Sequence, residues 1–155
     1  MADKECDGVS MESSMRLQVE QAMECCIKQL KHNLPAFTEN FQASNSENNF
    51  YRPMKNVEWT TGFCTGEYWL AYEHTGDEAF KAAALRQVDS FLERIQKRVD
   101  VDHHDMGFLY TPSCVAAYKL TENETGKKAA LMAADNLISR FHEKGGFIQA
   151  WGTLG

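Results

Sequence analysis

The chain has 155 residues, of which 43% are hydrophobic and 25% are charged, an ordinary balance for a single globular domain. Its formal net charge is −6, from 16 Lys and Arg against 22 Asp and Glu. We therefore expect neither nucleic acid nor an anionic membrane as a partner, because there is no surplus of cations to neutralise phosphates. No apolar run approaches the roughly 18 residues that a membrane span needs.

The amino terminus and the cysteines both predict a cytoplasmic protein. Residues 1–7 are charged and lack the apolar stretch of a signal peptide. The five cysteines are odd in number and form no C-x-x-C pair, which argues against a disulfide framework and against a zinc ribbon. We expect reduced thiols, a disordered tail over residues 1–11 and one domain over residues 12–155.

Apolar residues spaced by three and four predict helices along most of the chain, and we expect no strands. The predicted elements, in chain order, are a helix over 12–33 ended by Pro35, a long polar loop over 44–53, a helix over 60–74, a helix from an Asp77 cap to residue 98, a polar loop over 99–108, a helix over 112–120 and a helix over 127–143.

A shift of 46 residues superimposes the second helical hairpin on the third. It pairs Tyr72 with Tyr118, Thr75 with Thr121 and Leu85 with Leu131. The same shift carries Trp59 to Asp105 and Asp105 to Trp151, each at the start of the first helix of a hairpin. A repeat of this length predicts an all-α solenoid or closed toroid, in which equivalent positions lie on one rim.

The array looks incomplete at its carboxyl end. Residues 151–155 lie where a further inner helix would begin, and no residue follows to cover the last predicted helix. A repeat array needs a polar outer face on its final unit. We therefore expect an incomplete domain that is inactive and prone to associate by itself. The residues of the last helix predicted to face inward are Ala130, Leu131, Ala134, Leu137, Ile138 and Phe141.

The densest polar cluster, D-V-D-H-H-D over residues 100–105, has three interpretations. A metal site is disfavoured, because a run of about six residues supplies two or three ligands at best. A solvated loop that caps the next helix is the simplest interpretation. The third is catalytic, with Asp105 as a carboxylate whose proton affinity is tuned by an adjacent imidazole. Trp59 and Trp151 on the same rim favour the third, because sugar rings pack on indole faces and carboxylates serve glycosidic chemistry.

Three segments resemble the successive motifs of the unsaturated glucuronyl hydrolases, glycoside hydrolase family 88. They are N-V-E-W-T-T-G-F over 56–63, D-H-H-D-M-G-F over 102–108 and Q-A-W-G over 149–152, and the middle motif is the most specific. The resemblance spans about residues 15 to 155. It implies an (α/α)6 toroid and an enzyme that hydrates the C4–C5 double bond of the unsaturated uronate left by polysaccharide lyases.

The resemblance also implies roles for particular residues. Asp105 corresponds to the first of the family's two active-site aspartates, Trp59 and Trp151 to residues that stack on sugar rings, and His104 to a neighbour in the pocket. The second aspartate, the family's principal acid and base, has no counterpart in the 155 residues. The implied partner is an oligosaccharide that carries an unsaturated uronate, and neither a cofactor nor a metal ion is expected.

Three other functions remain open at this point. The unsaturated rhamnogalacturonyl hydrolases share the fold and the chemistry, although the W-T-T-G-F and H-H-D-M-G-F runs favour the glucuronyl group. A helical-repeat binding protein without catalysis would show varied residues at positions 59, 105 and 151. A sugar epimerase on the same toroid would call for a pair of histidines on the rims of inner helices, and only one dense histidine cluster is present.

Overall fold

The computed structural model describes residues 11–152, with side chains from residue 12 onward. The predicted disordered tail therefore lies outside the described residues, except for Met11, which begins the first helix. The elements are α1 (Met11–Phe37), β1 (Phe41–Glu47), β2 (Phe50–Met54), α2 (Thr61–Thr75), α3 (Glu78–Gln96), α4 (Met106–Tyr110), a π-helical turn (Thr111–Val115), α5 (Ala116–Thr121), α6 (Glu124–Ile138), β3 (Phe141–His142) and β4 (Phe147–Ile148).

Two helical hairpins follow each other in the predicted 46-residue register. The first consists of α2 and α3. In the second, α4, the π-helical turn and α5 form one continuous inner helix, which is followed by α6. The α3 helix begins at Glu78 and α6 begins 46 residues later at Glu124. The predicted helical repeat is therefore confirmed by the structure.

The turn inside each hairpin is built from equivalent residues. Gly76 and Glu122 both adopt the left-handed conformation that ends an inner helix, with φ of 68° and 55°. The next residue caps the outer helix: the side chain of Asp77 accepts an amide N–H of α3 at 3.0 Å, and that of Asn123 accepts an amide N–H of α6 at 2.7 Å. These two caps set the point at which the chain reverses in each repeat.

The two inner helices pack through glycines. A methyl group added to Gly62 would lie 2.1 Å from the carbonyl oxygen of Phe108, and one added to Gly66 would lie 2.8 Å from Pro112. The indole N–H of Trp69 donates to the carbonyl of Ser113 at 2.9 Å across the same contact. The absence of Cβ atoms on one helix thus lets the backbones approach closely.

The core lies between the inner and outer helices. Burial raises the pKa of the Cys64 thiol to about 11 and that of the Cys114 thiol to about 12, so both act as small neutral packing groups. No helix among residues 11–152 combines the length and hydrophobicity needed to cross a bilayer. The largest fully buried side chains include Tyr68, Trp69, Phe80, Val88, Phe91, Met106 and Leu109.

The prediction of a loop over 44–53 is wrong, because β1 and β2 form an antiparallel hairpin there. Asn48 and Asn49 occupy its turn with φ of 50° and 65°, the positive values that a two-residue hairpin turn requires. Only the start of β1 is buried, at Phe41 and Ala43, while the rest of the hairpin is polar or exposed. The apolar alternation that identifies a strand is therefore too short to read from the sequence.

Both prolines expected at helix boundaries lie inside helical segments. Pro35 lies within α1, which continues to Phe37, where the Gln87 side chain donates to the Phe37 carbonyl at 2.6 Å. Pro112 lies in the π-helical turn, whose wider backbone accommodates a residue without an N–H. The second inner helix therefore begins at Met106, six residues earlier than predicted.

The last predicted helix is too long, and its inward face is only partly correct. The α6 helix ends at Ile138, and the following residues form the short β3–β4 hairpin. Of the residues predicted to face inward, Ala130 and Leu137 are partly buried against the core. Leu131, Ile138 and Phe141 are 59%, 68% and 48% exposed, and Ala134 is exposed as well. The face that packs on the rest of the structure contains Ala129, Ala133 and Asn136, because α6 contacts α3 and the second inner helix on that side.

Candidate functional site

Trp59, Asp105 and Trp151, the three residues that share the 46-residue register, surround one cavity of about 400 Å³. Trp59 and Asp105 lie just before the inner helices of their hairpins, and Trp151 lies 46 residues after Asp105, following β4. The loop before α4 forms most of the wall. The lining residues are Trp59, Asp100, Val101, Asp102, His103, Asp105, Trp151 and Gly152.

Asp105 occupies the N-cap position of α4 without using its side chain as a cap. Its carbonyl oxygen accepts the N–H of Phe108 at 2.9 Å, while the carboxylate makes no capping hydrogen bond. The side chain is only 17% exposed, and its oxygens lie 3.5 Å from His103 Nδ1 and 3.4 Å from His104 Nε2. The capping interpretation of this loop is therefore wrong for Asp105, whose carboxylate is left facing the cavity.

His103 is buried and fixes the backbone that carries Asp105. Its Nδ1 accepts the backbone N–H of Asp105 at 3.1 Å, so the proton of the neutral ring lies on Nε2, 2.9 Å from the Asp100 carbonyl that accepts it. Both ring nitrogens are thus engaged with backbone groups of the same loop. His103 therefore holds this loop in place. The sequence alone did not distinguish this structural role from the role of His104.

His104 lies beside the cavity and connects two of the predicted site residues. Its ring is half-exposed and makes an edge-to-face contact with the indole of Trp151, at a centroid separation of 4.7 Å. Its Nε2 is at the same time within 3.4 Å of Asp105 Oδ1. An imidazole in this position can donate to the carboxylate while it orients the indole.

The two indoles expose different amounts of surface. Trp151 is 67% exposed, whereas Trp59 is 47% exposed and rests against Phe108 at a centroid separation of 6.2 Å. Trp59 is thereby fixed by an aromatic neighbour from the second repeat. Two indoles and a carboxylate that line one cavity form a surface suited to a sugar ring, whose C–H groups pack on aromatic faces.

A buried arginine ties the first two rim loops together. Arg94 is only 2% exposed, and its guanidinium donates to the Asn56 Oδ1 at 2.9 Å and to the Glu58 carbonyl at 2.9 Å. The same side chain donates to the carbonyls of Val99 and Asp100 at 3.0 and 2.8 Å. Arg94 therefore connects the loop that carries Trp59 to the loop that carries Asp105.

Arg140, which lies 46 residues after Arg94, holds the third loop in the same way. It is also 2% exposed, and it donates to the carbonyls of Gln149 and Gly152 at 2.9 and 3.2 Å. Trp151 lies between these two acceptors. A hydrogen bond from Asn136 Nδ2 to the Val101 carbonyl, at 2.7 Å, adds a link from α6 to the loop of Asp105.

The two arginines are the positioning residues that sequence reasoning missed. A signal was present: Arg94 lies between Phe91 and Ile95 on the apolar stripe of a helix, and an arginine recurs at the 46-residue spacing. A charged residue inside such a stripe needs buried acceptors, and backbone carbonyls of loops can supply them. No group of three or more His, Cys, Asp or Glu side chains within the described part of the chain is placed to hold a metal ion.

Residues 33–152 match the family model Glycosyl Hydrolase Family 88, and the chain belongs to this family. Its helical hairpins are consecutive units of an (α/α)6 toroid.

Three known proteins show the extent of the similarity. The chain is 54% identical over 138 residues to an unsaturated chondroitin disaccharide hydrolase of Streptococcus pneumoniae, covering 89% of this chain and 35% of that protein. A crystal structure of an unsaturated glucuronyl hydrolase from Streptococcus agalactiae matches 99% of this chain and 41% of its own, with a TM-score of 0.86 and 45% identity. A solved variant with dGlcA-Glc-Rha-Glc matches 88% of this chain and 36% of its own, with a TM-score of 0.83 and 40% identity. The chain thus spans about a third of the length of the curated relatives it matches.

Proposed function

We propose that the whole protein containing this chain hydrates the C4–C5 double bond of an unsaturated uronate at the non-reducing end of an oligosaccharide. The observation that carries the proposal is the cavity in which Trp59, Asp105 and Trp151 converge, in a chain that belongs to glycosyl hydrolase family 88. The similarity to an unsaturated chondroitin disaccharide hydrolase supports a substrate of this class.

The reaction begins at the double bond, not at the anomeric carbon. A carboxylic acid gives a proton to C4, and water adds to C5, which already carries the ring oxygen. The product is a hemiketal at C5. It opens, and the glycosidic bond then breaks with release of the neighbouring sugar. This sequence differs from ordinary glycoside hydrolysis, in which two carboxylates flank the anomeric carbon.

The proposal assigns a role to each predicted site residue. Asp105 holds the substrate and raises the proton affinity of a second carboxylic acid through the repulsion of like charges. Trp59 and Trp151 stack on the unsaturated ring. His104 lies against the Asp105 carboxylate and keeps the Trp151 indole in place. The second carboxyl group belongs to the family's second aspartate, which the 155 residues do not include.

The test is turnover of an unsaturated disaccharide, followed by the ultraviolet absorbance of its double bond. We expect the whole protein to remove this absorbance as it releases the second sugar. A whole protein that binds the disaccharide but leaves the double bond intact would contradict the proposal and support the alternative of a non-catalytic binding protein.

We expect the 155-residue chain by itself to be inactive. It covers about a third of the length of its relatives, and it exposes apolar side chains such as Leu131 and Ile138 that favour association. A soluble monomer with a sharp thermal transition would contradict the expectation of association, and double-bond hydration by that monomer would contradict the expected need for a second aspartate.

We also propose that residues 12–155 belong to one catalytic domain and that the protein is cytoplasmic. The support for the location is chemical: Cys25 and Cys26 are exposed free thiols and Cys64 and Cys114 are buried free thiols, as expected in a reducing compartment. Fractionation of cells that produce the protein would test it, and recovery outside the cytoplasm would contradict it.

A further inference from the structure

We propose that a second cavity, between the β1–β2 hairpin and α2, is a subsite for an uncharged hexose further along the bound oligosaccharide. This inference rests on the proposed function, because it concerns the part of the substrate beyond the unsaturated uronate. The cavity has a volume of about 290 Å³, large enough for a sugar ring. Its lining residues are Gln42, Ala43, Ser44, Tyr51, Thr60, Phe63, Cys64 and Glu67.

The lining has the composition of a sugar-binding surface. Tyr51 and Phe63 are 49% and 42% exposed, so each presents an aromatic face. Gln42, Ser44 and Glu67 add groups that can donate or accept hydrogen bonds. Aromatic faces combined with a few polar groups can bind the C–H faces and the hydroxyl groups of a hexose.

A continuous aromatic surface connects this cavity to the one that contains Asp105. The Phe63 ring, which lines the second cavity, lies 5.5 Å from the Phe108 ring. Phe108 in turn lies 6.2 Å from Trp59, which lines the first cavity. All three rings are between 42% and 48% exposed. A saccharide chain that leaves the first cavity can therefore follow aromatic faces to the second.

Hydrogen bonds connect β1, which forms one wall of the second cavity, to two neighbouring segments. The backbone N–H of Ser44 donates to the Glu58 carboxylate at 3.1 Å, which fastens β1 to the loop carrying Trp59. The Gln42 side chain donates to the carboxylate of Glu67 on α2. β1 is thus joined both to the loop carrying Trp59 and to α2.

The charge of the lining residues favours an uncharged sugar. Glu67 is the one acidic side chain among them, and none of the eight is a lysine or an arginine. A sulfated sugar or a second uronate in this cavity would meet a carboxylate and no cation. Burial raises the pKa of Glu67, although the hydrogen bond from Gln42 opposes this effect.

The first test compares two aromatic residues that are neighbours on β2. Tyr51 lines the cavity, whereas Phe50 is 77% exposed and does not. The measurement is the ratio of kcat/KM for dGlcA-Glc-Rha-Glc to kcat/KM for dGlcA-Glc, in the whole protein. We expect Tyr51→Ala to lower this ratio about two- to tenfold, the scale of one aromatic contact, and Phe50→Ala to leave it unchanged. Because both substrates are measured on the same variant, a partial loss of folded protein cancels in the ratio.

The outcomes separate this inference from the proposed function. Turnover of both substrates with an unchanged ratio in Tyr51→Ala would overturn the subsite and leave the proposed function standing. An equal fall in Phe50→Ala would also overturn it. Failure of the wild-type protein to hydrate either substrate would overturn the proposed function, and the subsite with it.

The second test concerns charge. Glu67→Gln removes the carboxylate from the cavity, and Glu73→Gln removes the same charge from an exposed position of the same helix. The substrates are an unsaturated tetrasaccharide with uncharged outer sugars and one with sulfated outer sugars. We expect Glu67→Gln to reduce the preference for the uncharged substrate about fivefold, with no change in Glu73→Gln. A preference that is the same in all three proteins would contradict the assignment of an uncharged sugar.

Discussion

The two helical hairpins share a framework and differ at the rim. Both have a left-handed residue and a capped helix start at the turn, and both have a buried arginine near the end of the outer helix. At the start of the inner helix, however, the first hairpin carries Trp59 and the second carries Asp105. The repeat therefore determines where a functional side chain is placed, and the residue at that position determines its chemistry.

A second comparison concerns two aspartates that both precede helices. The Asp77 carboxylate accepts an amide N–H of α3 and pairs with Lys31 at 2.5 Å. The Asp105 carboxylate makes no capping bond and faces two imidazoles and a cavity. An acidic residue at a helix start is ordinarily explained by capping. Asp105 is a functional candidate because its carboxylate is not used in that way.

The largest expected effect distinguishes Asp105 from the other aspartates. Asp105→Asn should lower turnover of an unsaturated disaccharide by the whole protein about 10²-fold or more, the scale of a positioned acid–base or electrostatic group. The measurement is the initial rate of loss of the double-bond absorbance. Asp89→Asn, an exposed position on α3, serves as the control. A rate near that of the wild type in Asp105→Asn would contradict the assignment.

The buried arginines should differ in their contribution to stability. Arg94→Met should lower the free energy of unfolding by about 3–5 kcal/mol, because it leaves carbonyls of two loops without donors. Arg140→Met should cost about 1–2 kcal/mol, because fewer acceptors lose a partner. Urea unfolding of the whole protein measures both. If the two variants lose the same stability, the expected difference between Arg94 and Arg140 is not supported.

The two left-handed positions should respond in opposite directions. Gly76→Ala should destabilise by about 1 kcal/mol, because alanine is strained at φ 68° even though the space around it is open. Glu122→Gly should stabilise by up to about 1 kcal/mol, because it relieves a similar strain at φ 55°. Thermal unfolding of the two variants is the check, and changes of the same sign would contradict equivalence of the turns.

The smallest expected effect is a pH dependence of stability at the Asp77 cap, which the Asn123 cap does not share. The hydrogen bond from Lys31 and that from the Ala79 N–H lower the pKa of Asp77 below its ordinary 3.8. The stabilisation by its ionised form is complete above that value, and it is lost as the pH falls through the lower pKa of the folded state. Asp77→Asn should therefore flatten the fall in melting temperature below about pH 4. Asn123→Ala should leave the slope of that fall unchanged, and a change in slope there would contradict the comparison.

The helical part of the fold could be predicted because its signals are local and repeated. The cap at Asp77, the turn at Gly76 and the apolar stripe of α3 all lie in the sequence where the structure uses them. The β1–β2 hairpin could not, because most of it is exposed and polar. The extent of α1 and of the second inner helix was obscured by Pro35 and Pro112, whose effects depend on tertiary packing.

The three candidate site residues could be predicted from the 46-residue register. The contacts that hold their loops in place could not. Trp59, Asp105 and Trp151 follow from the 46-residue spacing alone. Arg94 and His103 act through backbone carbonyls and amides of loops, and the sequence does not specify the path of those loops. Their roles therefore became visible only in three dimensions.

The central claim is that the reacting centre in this cavity is a double bond. In the most direct measurement, the whole protein is incubated separately with an unsaturated disaccharide and with its saturated glucuronyl counterpart of the same linkage. Sugar release and loss of double-bond absorbance are followed together. The account predicts one sugar released for each double bond lost, and no release from the saturated disaccharide. Release from the saturated disaccharide at a comparable rate would contradict it.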